Sequence, residues 1–370
     1  MSIATNISWC DSTLNFWGGC TKVSAACDHC YAERDAARFK FADWGPGKPR
    51  KQMAEATRAQ ADKWNRKQFF ECSACGWRGD KPALTSAGEA QCWKCCAEPS
   101  TLKPARRRVF VNSWSDWLDN EVPIEWLVDL LDRIRRCPNI DFLLLTKRIG
   151  NWRGRLVSAA SECLSGGVAA RIELGRLINL WLAGNPPENV WIGSTVVDQP
   201  ELERDAVKLF AVPARIRFFS VEPMLAAMSF RWMSAWPENK PTTAQHPSGR
   251  TNELDGLRRL DWVIGGGESG AQARPLDMLW IRKLVEQCKA AGVPIHVKQM
   301  GRTPFFGEEG AGWADDFFNG GNVHWRADYR LPDGSLGVCE FRDREGRDIN
   351  EWPEDLRVRE FPVGAPAVLL

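Results

Sequence analysis

Short apolar runs alternate with longer amphipathic stretches along most of the chain. The runs predict β-strands because they are short, rich in β-branched residues and bounded by polar or turn residues. The stretches predict helices; in 276–291, for example, Ile281, Leu284 and Cys288 share one face, and Gly292 follows as a C-cap. The predicted strands are Ile7–Cys10, Arg108–Asn112, Asp141–Thr146, Val190–Ser194, Arg217–Val221, Trp262–Gly265 and Pro294–Lys298, and the predicted helices lie near 28–44, 122–136, 168–184, 200–210 and 276–291.

This alternation of strands and helices predicts an α/β fold built on a parallel sheet with right-handed crossovers. Seven strands would form a partial or nearly closed parallel barrel, and a doubly wound sheet is the alternative. Two segments interrupt the pattern: residues 67–103, rich in Cys and Gly, and residues 232–258, which have the composition of a long polar loop. We therefore assign the barrel to residues 1–66 and 104–301, an inserted module to 67–103, and an acidic, loop-rich C-terminal extension to 302–370.

The composition limits the class of protein. A chain of 370 residues with 44% apolar residues can bury a large core in one α/β domain with insertions. The net charge of +2 argues neither for nor against a nucleic-acid partner. The N-terminus has no signal-peptide pattern and no run of about 18 apolar residues occurs, so we expect no membrane partner. Thirteen Cys residues without a secretory signal indicate a reducing cytoplasm, where clustered thiols are more often metal ligands than disulfides.

The first cysteine cluster has the spacing Cys20-x6-Cys27-x2-Cys30 and follows the first predicted strand. Three thiolates this close in sequence can hold three irons of a [4Fe–4S] cluster and leave the fourth iron open. Neighbouring glycines would let the backbone pass close to the cluster without side-chain clashes. The alternative is a structural zinc site with Cys10 as the fourth ligand.

The second cysteine cluster, Cys72-x2-Cys75-x16-Cys92-x2-Cys95, has the pattern of a zinc ribbon. Each Cys-x2-Cys pair turns two thiolates toward one point, and two such pairs complete a tetrahedron around Zn²⁺. Cys96 is an extra thiol that is an alternative to Cys95 as a ligand. A second iron–sulfur cluster is the alternative for the metal.

Around the first cluster the sequence resembles a known family. Trp17-Gly18-Gly19-Cys20 and the run 27–32 (CDHCYA) resemble an uncharacterised phage- and bacteria-associated family with a three-cysteine motif, whose gene neighbours are called three-Cys-motif partner proteins. That family is in turn similar to radical S-adenosylmethionine (SAM) proteins, including spore photoproduct lyase, in the motif and in the barrel plan. The resemblance continues through VFVNSWSDWL (109–118), FLLLTKR (142–148), VWIGSTV (190–196), RFFSVEPML (217–225), WVIGGGESGAQARP (262–275), VPIHVKQMG (293–301) and, more weakly, GRDINEWPED (346–355).

The resemblance implies a radical SAM-type barrel in which Cys20, Cys27 and Cys30 hold a [4Fe–4S] cluster and SAM binds the open iron. Reductive cleavage of SAM, with an electron from a reductant protein, would give methionine and a 5′-deoxyadenosyl radical that abstracts hydrogen from a substrate. Two features depart from the radical SAM pattern. The usual spacing is Cys-x3-Cys-x2-Cys, and the usual Gly-Gly-Glu follows the second strand, whereas here the segment 266–268 follows the sixth.

Polar residues recur at the carboxyl ends of the predicted strands, where parallel barrels bind their ligands. By the same resemblance, lysines there would hold the SAM carboxylate and Glu268 its ammonium group. For each of these polar residues the alternative is a position in a solvated loop or a helix cap. The glycines of 266–268 could instead form a phosphate-binding loop, and His29 could be a polar residue that only supports the site. The selected candidates are Lys147, Glu222 and Lys298 for catalysis and His29, Gly266, Gly267 and Glu268 for cofactor binding, while Asn112, Ser113, Asp116, Arg148, Ser194, Thr195 and Ser220 lie at strand ends without being selected.

The predicted function is an iron–sulfur, SAM-dependent radical enzyme in the cytoplasm of a bacterial or phage-infected cell. Its substrate is unknown, and nucleic acid follows only by analogy with the lyase. The insertion would lie near the barrel mouth, and its Trp77 and Trp93 together with the basic run Arg106–Arg108 would suit phosphate contacts and base stacking. The alternative function is a non-enzymatic, nucleic-acid-binding phage protein with zinc sites, and the alternative for the insertion is a purely structural flap.

Overall fold

The computed structural model describes residues 5–165, 167–230, 257, 259–305, 329–330, 336–337 and 341–363. Its central element is a seven-stranded parallel sheet that curls into a half-barrel. Each strand pairs with the next one along the chain, which is the order of a partial barrel and not of a doubly wound sheet. The strands are β1 (Ser12–Leu14), β2 (Arg107–Val111), β3 (Ile140–Thr146), β4 (Val190–Thr195), β5 (Ile216–Val221), β6 (Trp262–Gly265) and β7 (Ile295–Val297).

Six of these strands lie where the apolar runs predict them, but the first prediction is wrong. Residues 7–10 form a turn, and β1 starts after Asp11. The physical reason is that Trp9 packs inside the half-barrel, 4.6 Å from the ring of Phe110, while the Asp11 carboxylate accepts the Arg108 amide at 2.7 Å. The apolar run at 7–10 therefore fills the barrel instead of extending the sheet.

Helices cover the outer face of the sheet, and their ends follow local capping signals. The Asp198 side chain accepts the Glu201 amide at 2.8 Å, and Asp277 caps the last long helix, which ends at Gly292 with φ 70°. The long helices are α1 (Tyr31–Phe39), α2 (Ile124–Arg136), α3 (Trp152–Ser165), α4 (Ala169–Leu182), α5 (Gln199–Phe210) and α6 (Met278–Ala291).

One helix, α3, is missing from the sequence prediction. Its buried face includes the small residues Ala159, Ala160 and Cys163, so the apolar period is weak in the sequence. The remaining elements are short; the helices and helical turns are Ala25–Cys27, Glu55–Arg58, Gln60–Asn65, Pro99–Thr101, Ile149–Asn151, Ile349–Glu351 and Glu354–Leu356, and the strands are Trp17–Gly18, Lys51–Gln52, Phe70–Cys72, Arg78–Gly79, Ala83–Leu84, Ala90–Gln91, Leu102–Pro104, Leu276–Asp277, Pro304–Phe305, Tyr329–Arg330 and Leu336–Gly337.

Side chains alternate across the sheet, so that one face packs on the helices and the other fills the half-barrel. In β2, Val109 and Val111 join the helix-side core, whereas Phe110 joins the inner cluster. Gly193 takes an inner position in β4, because a Cβ atom there would lie 2.3 Å from the Phe218 ring. The inner cluster consists of Trp9, Phe110, Leu143, Trp191, Ile216, Phe218, Trp262 and Ile264.

The cysteine-rich insertion, residues 67–103, lies at the amino ends of β1 and β2. Arg78 of the insertion pairs with Asp11 just before β1 at 3.0 Å, and Asp80 pairs with Arg107 at the start of β2, also at 3.0 Å. Ligand sites of parallel barrels form at the opposite, carboxyl end. The expectation that the insertion lies near the barrel mouth is therefore wrong; the order of segments along the chain does not fix the end of the sheet on which an insertion packs.

Residues 341–363, the main described part of the predicted C-terminal extension, pack on the barrel. Trp352 and Leu356 are buried in the helix-side core. The Val297 amide donates to the Val358 carbonyl at 2.8 Å, and the Glu360 amide donates to the Ile295 carbonyl at 2.9 Å. This segment therefore satisfies the edge of β7 that would otherwise be open. No helix in the described ranges is both long and apolar enough to cross a membrane.

Candidate cofactor and substrate cavity

A cavity of about 530 Å³ opens at the carboxyl ends of the sheet strands. Its floor includes Trp9 and Phe110, which are the top of the inner cluster, and Leu145 next to them. These apolar rings close the half-barrel below the cavity, so the barrel is a packed core and not a pore. The cavity is accordingly a cup with an apolar floor.

Just beyond the strands, the side chains keep the inward and outward alternation of the sheet, and the inward ones form the walls of the cavity. Lys147 lies two positions after Leu145, and Thr195 lies two positions after Gly193, so each takes the inward direction of its strand. The inner face is thus apolar within the sheet and polar just beyond it. The inward residues at the strand ends are Asn112, Lys147, Thr195, Ser220, Glu222 and Lys298, and all of them line the cavity.

The three cysteines of the first cluster also line this cavity. Cys27 ends a helical turn in which the Ser24 hydroxyl accepts the Ala26 amide at 3.0 Å, and Cys30 occupies the N-cap position of α1. The free amides in the first turn of that helix favour negative charge beside Cys30. Gly19, with φ 97°, is required before Cys20 because a Cβ atom there would lie 2.7 Å from a backbone oxygen.

Arg148 holds Cys20 in place. Its guanidinium donates to Cys20 Sγ at 3.4 Å and to the Thr21 carbonyl at 2.6 Å, and it pairs with Asp116 at 3.2 Å. Asp116 also accepts the Thr146 hydroxyl at 2.7 Å. Burial and the Asp116 charge raise the pKa of Cys20 to about 11, although Arg148 lowers it.

Glu268 joins the end of β6 to the cysteine loop. Its carboxylate accepts two bonds from the Arg274 guanidinium, at 2.7 and 3.0 Å, and His29 Nδ1 lies 3.1 Å from the same carboxylate. Arg274 also donates to the carbonyl of Ala25 in the cysteine loop. Burial raises the pKa of Glu268, but the bonds from Arg274 outweigh it and the net shift is downward. The carboxylate proposed for the SAM ammonium is therefore charged and already bound to an arginine.

The glycines beside Glu268 are needed for close backbone packing. A Cβ atom on Gly266 would lie 3.0 Å from the Gln299 carbonyl oxygen, and one on Gly267 would lie 2.4 Å from the Met300 carbonyl oxygen. The Gly267 amide also donates to the Gln299 carbonyl at 3.0 Å. These contacts give both glycines a structural reason that is independent of any cofactor.

The three selected catalytic candidates differ in their contacts. Lys298 forms an ion pair with Glu222 across the cavity. Lys147 lines the cavity too, and its ammonium has no acidic partner among the residues that the structure describes. Arg148 and Asp116 lie at predicted strand ends but are not among the selected candidates. The signal that could have found them is a pair of opposite charges at the ends of two neighbouring strands, close to a cysteine.

The second cluster is brought together as predicted. The sulfur atoms of Cys72, Cys75, Cys92 and Cys95 all lie within 4.8 Å of one another, which is compact enough for one metal ion. Cys72 and Cys95 are 3.7 Å apart, and Cys75 and Cys92 are 3.6 Å apart. Across the described part of the chain, no other group of His, Cys, Asp or Glu is as compact.

The geometry of the two Cys-x2-Cys turns distinguishes Cys95 from Cys96. Each turn ends in a left-handed residue, Gly76 with φ 69° after the first and Cys96 with φ 51° after the second. The amide of each donates back to the first cysteine of its turn, Cys72 or Cys92. Cys96 therefore shapes the turn, while the Cys95 sulfur completes the cluster.

The basic run before β2 does not form an exposed surface. Arg106, Arg107 and Arg108 are only 5–6% exposed. Arg106 lies 3.6 Å from Asp141, and Arg107 pairs with Asp80. They lie at the amino end of the sheet, away from the cavity. The arginine half of the predicted phosphate-contacting surface is therefore absent from this part of the structure.

Comparisons with known proteins add a family but no function. Residues 4–320 match the family described as "Protein of unknown function (DUF5131)", and the chain belongs to this family. No curated protein and no solved structure matches the chain.

Proposed function

We propose that this protein is an iron–sulfur, SAM-dependent radical enzyme whose [4Fe–4S] cluster is held by Cys20, Cys27 and Cys30. One observation carries the proposal: these three cysteines come from one loop and line one cavity at the carboxyl ends of a curled parallel sheet. The sequence resemblance to radical SAM proteins supports the same cofactor. The departures in cysteine spacing and in the place of Gly-Gly-Glu make it a variant of that plan.

The donor set suits a cluster with one open iron better than a closed site. Cys10, the alternative fourth ligand, does not line the cavity, and burial strongly raises the pKa of its thiol. The sulfurs of Cys20, Cys27 and Cys30 are not as compact as the quartet in the insertion, as expected for donors around a body larger than one ion. Three thiols would leave one iron without a protein ligand.

The residues of the cavity have separate parts in this proposal. When bound and reduced, a cluster of this type supplies the electron that cleaves SAM. The apolar floor would exclude water from the reacting groups, and Arg148 would hold Cys20 and offset its negative charge. The Glu222–Lys298 pair and Lys147 would face SAM or the substrate, with Lys147 ready to meet a carboxylate.

The proposal does not extend to a nucleic-acid substrate. The arginines that suggested such binding are buried and each is paired with an acid, and the insertion lies away from the cavity. The chemistry does require an external one-electron reductant. The resemblance adds a three-Cys-motif partner protein as a candidate partner.

For the insertion we propose a structural Zn²⁺ held by Cys72, Cys75, Cys92 and Cys95. The compact four-sulfur group suits one tetrahedral ion. The apolar cluster within the insertion is small, so metal binding would stabilise its fold. Metal analysis of full-length protein should give one zinc per chain, and Cys72→Ser should lose it.

Anaerobic purification tests the main proposal. We expect brown protein with iron and sulfide near four per chain, the stoichiometry of a [4Fe–4S] cluster, and release of 5′-deoxyadenosine after addition of SAM and dithionite. Cys20→Ala should lose the iron and keep the zinc, whereas the matched control Cys10→Ala should keep both. Colourless protein, or wild-type iron in Cys20→Ala, contradicts the cluster assignment; a loaded, reduced protein that releases no deoxyadenosine contradicts radical chemistry.

A further inference from the structure

The inward-pointing side chains of the cavity fall into a paired set and a set with unused hydrogen-bonding groups. At the ends of β5 and β6, Glu222 pairs with Lys298 and Glu268 is held by Arg274. At the ends of β2, β3 and β4, three inward side chains retain unused hydrogen-bonding groups: Asn112, Lys147 and Thr195. These three strands are neighbours in the sheet, so the three groups face one part of the cavity.

Two of these groups are buried polar atoms without a partner in the described structure. Asn112 and Thr195 are each 2% exposed, and Asn112 Nδ2 and Thr195 Oγ1 make no hydrogen bond there. The Asn112 amide is fixed in orientation, because its oxygen accepts the Phe16 amide at 2.8 Å and its nitrogen takes the other side. Buried polar atoms are usually hydrogen-bonded. Most other buried atoms without a partner in the described structure lie in the core, whereas Asn112 and Thr195 line the cavity, where a bound ligand would satisfy both atoms.

The chemistry of the three groups selects the ligand. An amide NH₂ and an ammonium group are donors only, and a threonine hydroxyl can donate as well. The indole N–H of Trp9, which also lines the cavity, is a further donor without a partner in the described residues. Asp116, whose carboxylate accepts the Lys147 backbone amide, is already occupied by Arg148 and the Thr146 hydroxyl. Converging donors without a counter-charge favour an oxyanion.

We infer that Asn112, Lys147 and Thr195 form a subsite for an oxyanion, a carboxylate or phosphate group of a molecule bound in the cavity. The inference deepens the proposed function and rests on it for the role of the cavity. Two sources share this chemistry, the carboxylate of SAM and an anionic group of the substrate.

The test is titration calorimetry of full-length, anaerobically purified protein with inorganic phosphate and with acetate. Thr195→Val removes the hydroxyl and keeps the side-chain shape, and Lys147→Met removes the charge. Each should weaken binding of the better probe, Lys147→Met by about tenfold or more because it removes a charged donor. Thr195→Val should also raise Tm without ligand, since it removes an unsatisfied buried hydroxyl, whereas a hydroxyl that supports the fold would lower it.

Ser194→Ala is the matched control. Ser194 is the neighbouring residue of β4, fully buried, and its hydroxyl also lacks a partner in the described structure, but it does not line the cavity. The variant should raise Tm like Thr195→Val and leave anion binding unchanged. Binding of neither probe to wild type, unchanged binding in Lys147→Met and Thr195→Val, or equal weakening in Ser194→Ala would each overturn the subsite.

Addition of SAM to the cluster-loaded protein separates the two sources. Competition between SAM and the anion probe assigns the subsite to the SAM carboxylate, and simultaneous binding assigns it to the substrate. The anion titration does not depend on the cluster, so protein without iron would refute the proposed function while anion binding could still be measured.

Discussion

Replacing Arg148 with glutamine should destabilise the protein, because it leaves a buried carboxylate without its counter-charge. The side chains of Arg148 and Asp116 are each 7% exposed, and their closest N–O distance is 3.2 Å. Removing one partner of such a pair costs about 3–5 kcal/mol when the other charge is left alone. Asp116 keeps the Thr146 hydroxyl and the Lys147 and Leu118 amides as donors. We therefore expect the low end, a loss of about 3 kcal/mol in the free energy of unfolding.

The same substitution should weaken iron binding through Cys20. Arg148 is the charged donor to the Cys20 sulfur, and its loss leaves burial and Asp116 to disfavour the thiolate. Substitution of a residue that supports a metal ligand lowers metal affinity by about 10–100-fold. We expect a loss of iron in that range under a chelator titration of the anaerobic protein.

Two further variants separate folding from metal binding. Arg155→Met removes a partly buried arginine, which donates to the Val122 carbonyl at 2.8 Å and has no hydrogen bond to Cys20, so it should keep the iron. In the double variant Arg148→Gln/Asp116→Asn the lone carboxylate is gone, so stability by urea denaturation should partly recover. Iron binding should recover only in part, because Asp116 no longer disfavours the Cys20 thiolate but the charged donor to its sulfur is still missing. Wild-type iron affinity in Arg148→Gln, or full recovery of iron binding in the double variant, would refute the reasoning.

Three other predictions follow from single contacts. Cys95→Ser should abolish zinc binding, whereas Cys96→Gly should keep it and raise Tm slightly, because glycine adopts φ 51° without strain; metal analysis and thermal denaturation distinguish them. Burial raises the pKa of Asp141 to about 6, so the folded state holds a proton that the unfolded state releases near pH 4. The free energy of unfolding should therefore fall by roughly 2 kcal/mol from pH 4 to 7, and Asp141→Asn should flatten that profile in urea titrations. Gly193→Ala should lower the free energy of unfolding by about 1–3 kcal/mol, because the new Cβ atom would lie 2.3 Å from an aromatic ring. Gly154→Ala in α3, where nothing lies within 4 Å, should raise it by up to about 1 kcal/mol. Equal effects of the two variants in denaturant titrations would contradict the packing argument.

The strands were predictable wherever apolar residues filled both faces of the sheet. In β3, Phe142 and Leu144 face the helices while Leu143 and Leu145 face the barrel, so the run is continuously apolar in sequence. The same signal misled at residues 7–10, because a segment that plugs a barrel is as apolar as a strand inside it. A strand and a plugging segment differ in the hydrogen-bond partners of their backbone, and no local sequence pattern encodes those partners.

The sequence allowed us to predict which residues line the cavity, but not which residues they contact. Lys147, Glu222 and Lys298 were found because they follow apolar runs, and all three line the cavity. The contact of Arg148 with Cys20 joins residues 128 apart in sequence, and that of His29 with Glu268 joins residues 239 apart. Such contacts depend on which loops meet above the sheet, and the sequence alone gave no warning that Glu268 is bound to an arginine.

Core and cavity in this fold depend on one alternation of side chains, and this links stability to function in a specific way. Leu143, Leu145 and Lys147 point inward from the same strand, the first two into the barrel and the third into the cavity. A shift of one residue in the pairing of β3 would turn Lys147 toward the helices and give Thr146 the inward direction, while exchanging the two apolar faces. The inner aromatic cluster opposes that shift, because its rings fit only one arrangement. Tight packing below the cavity therefore also fixes the identity of the residues that a ligand meets above it.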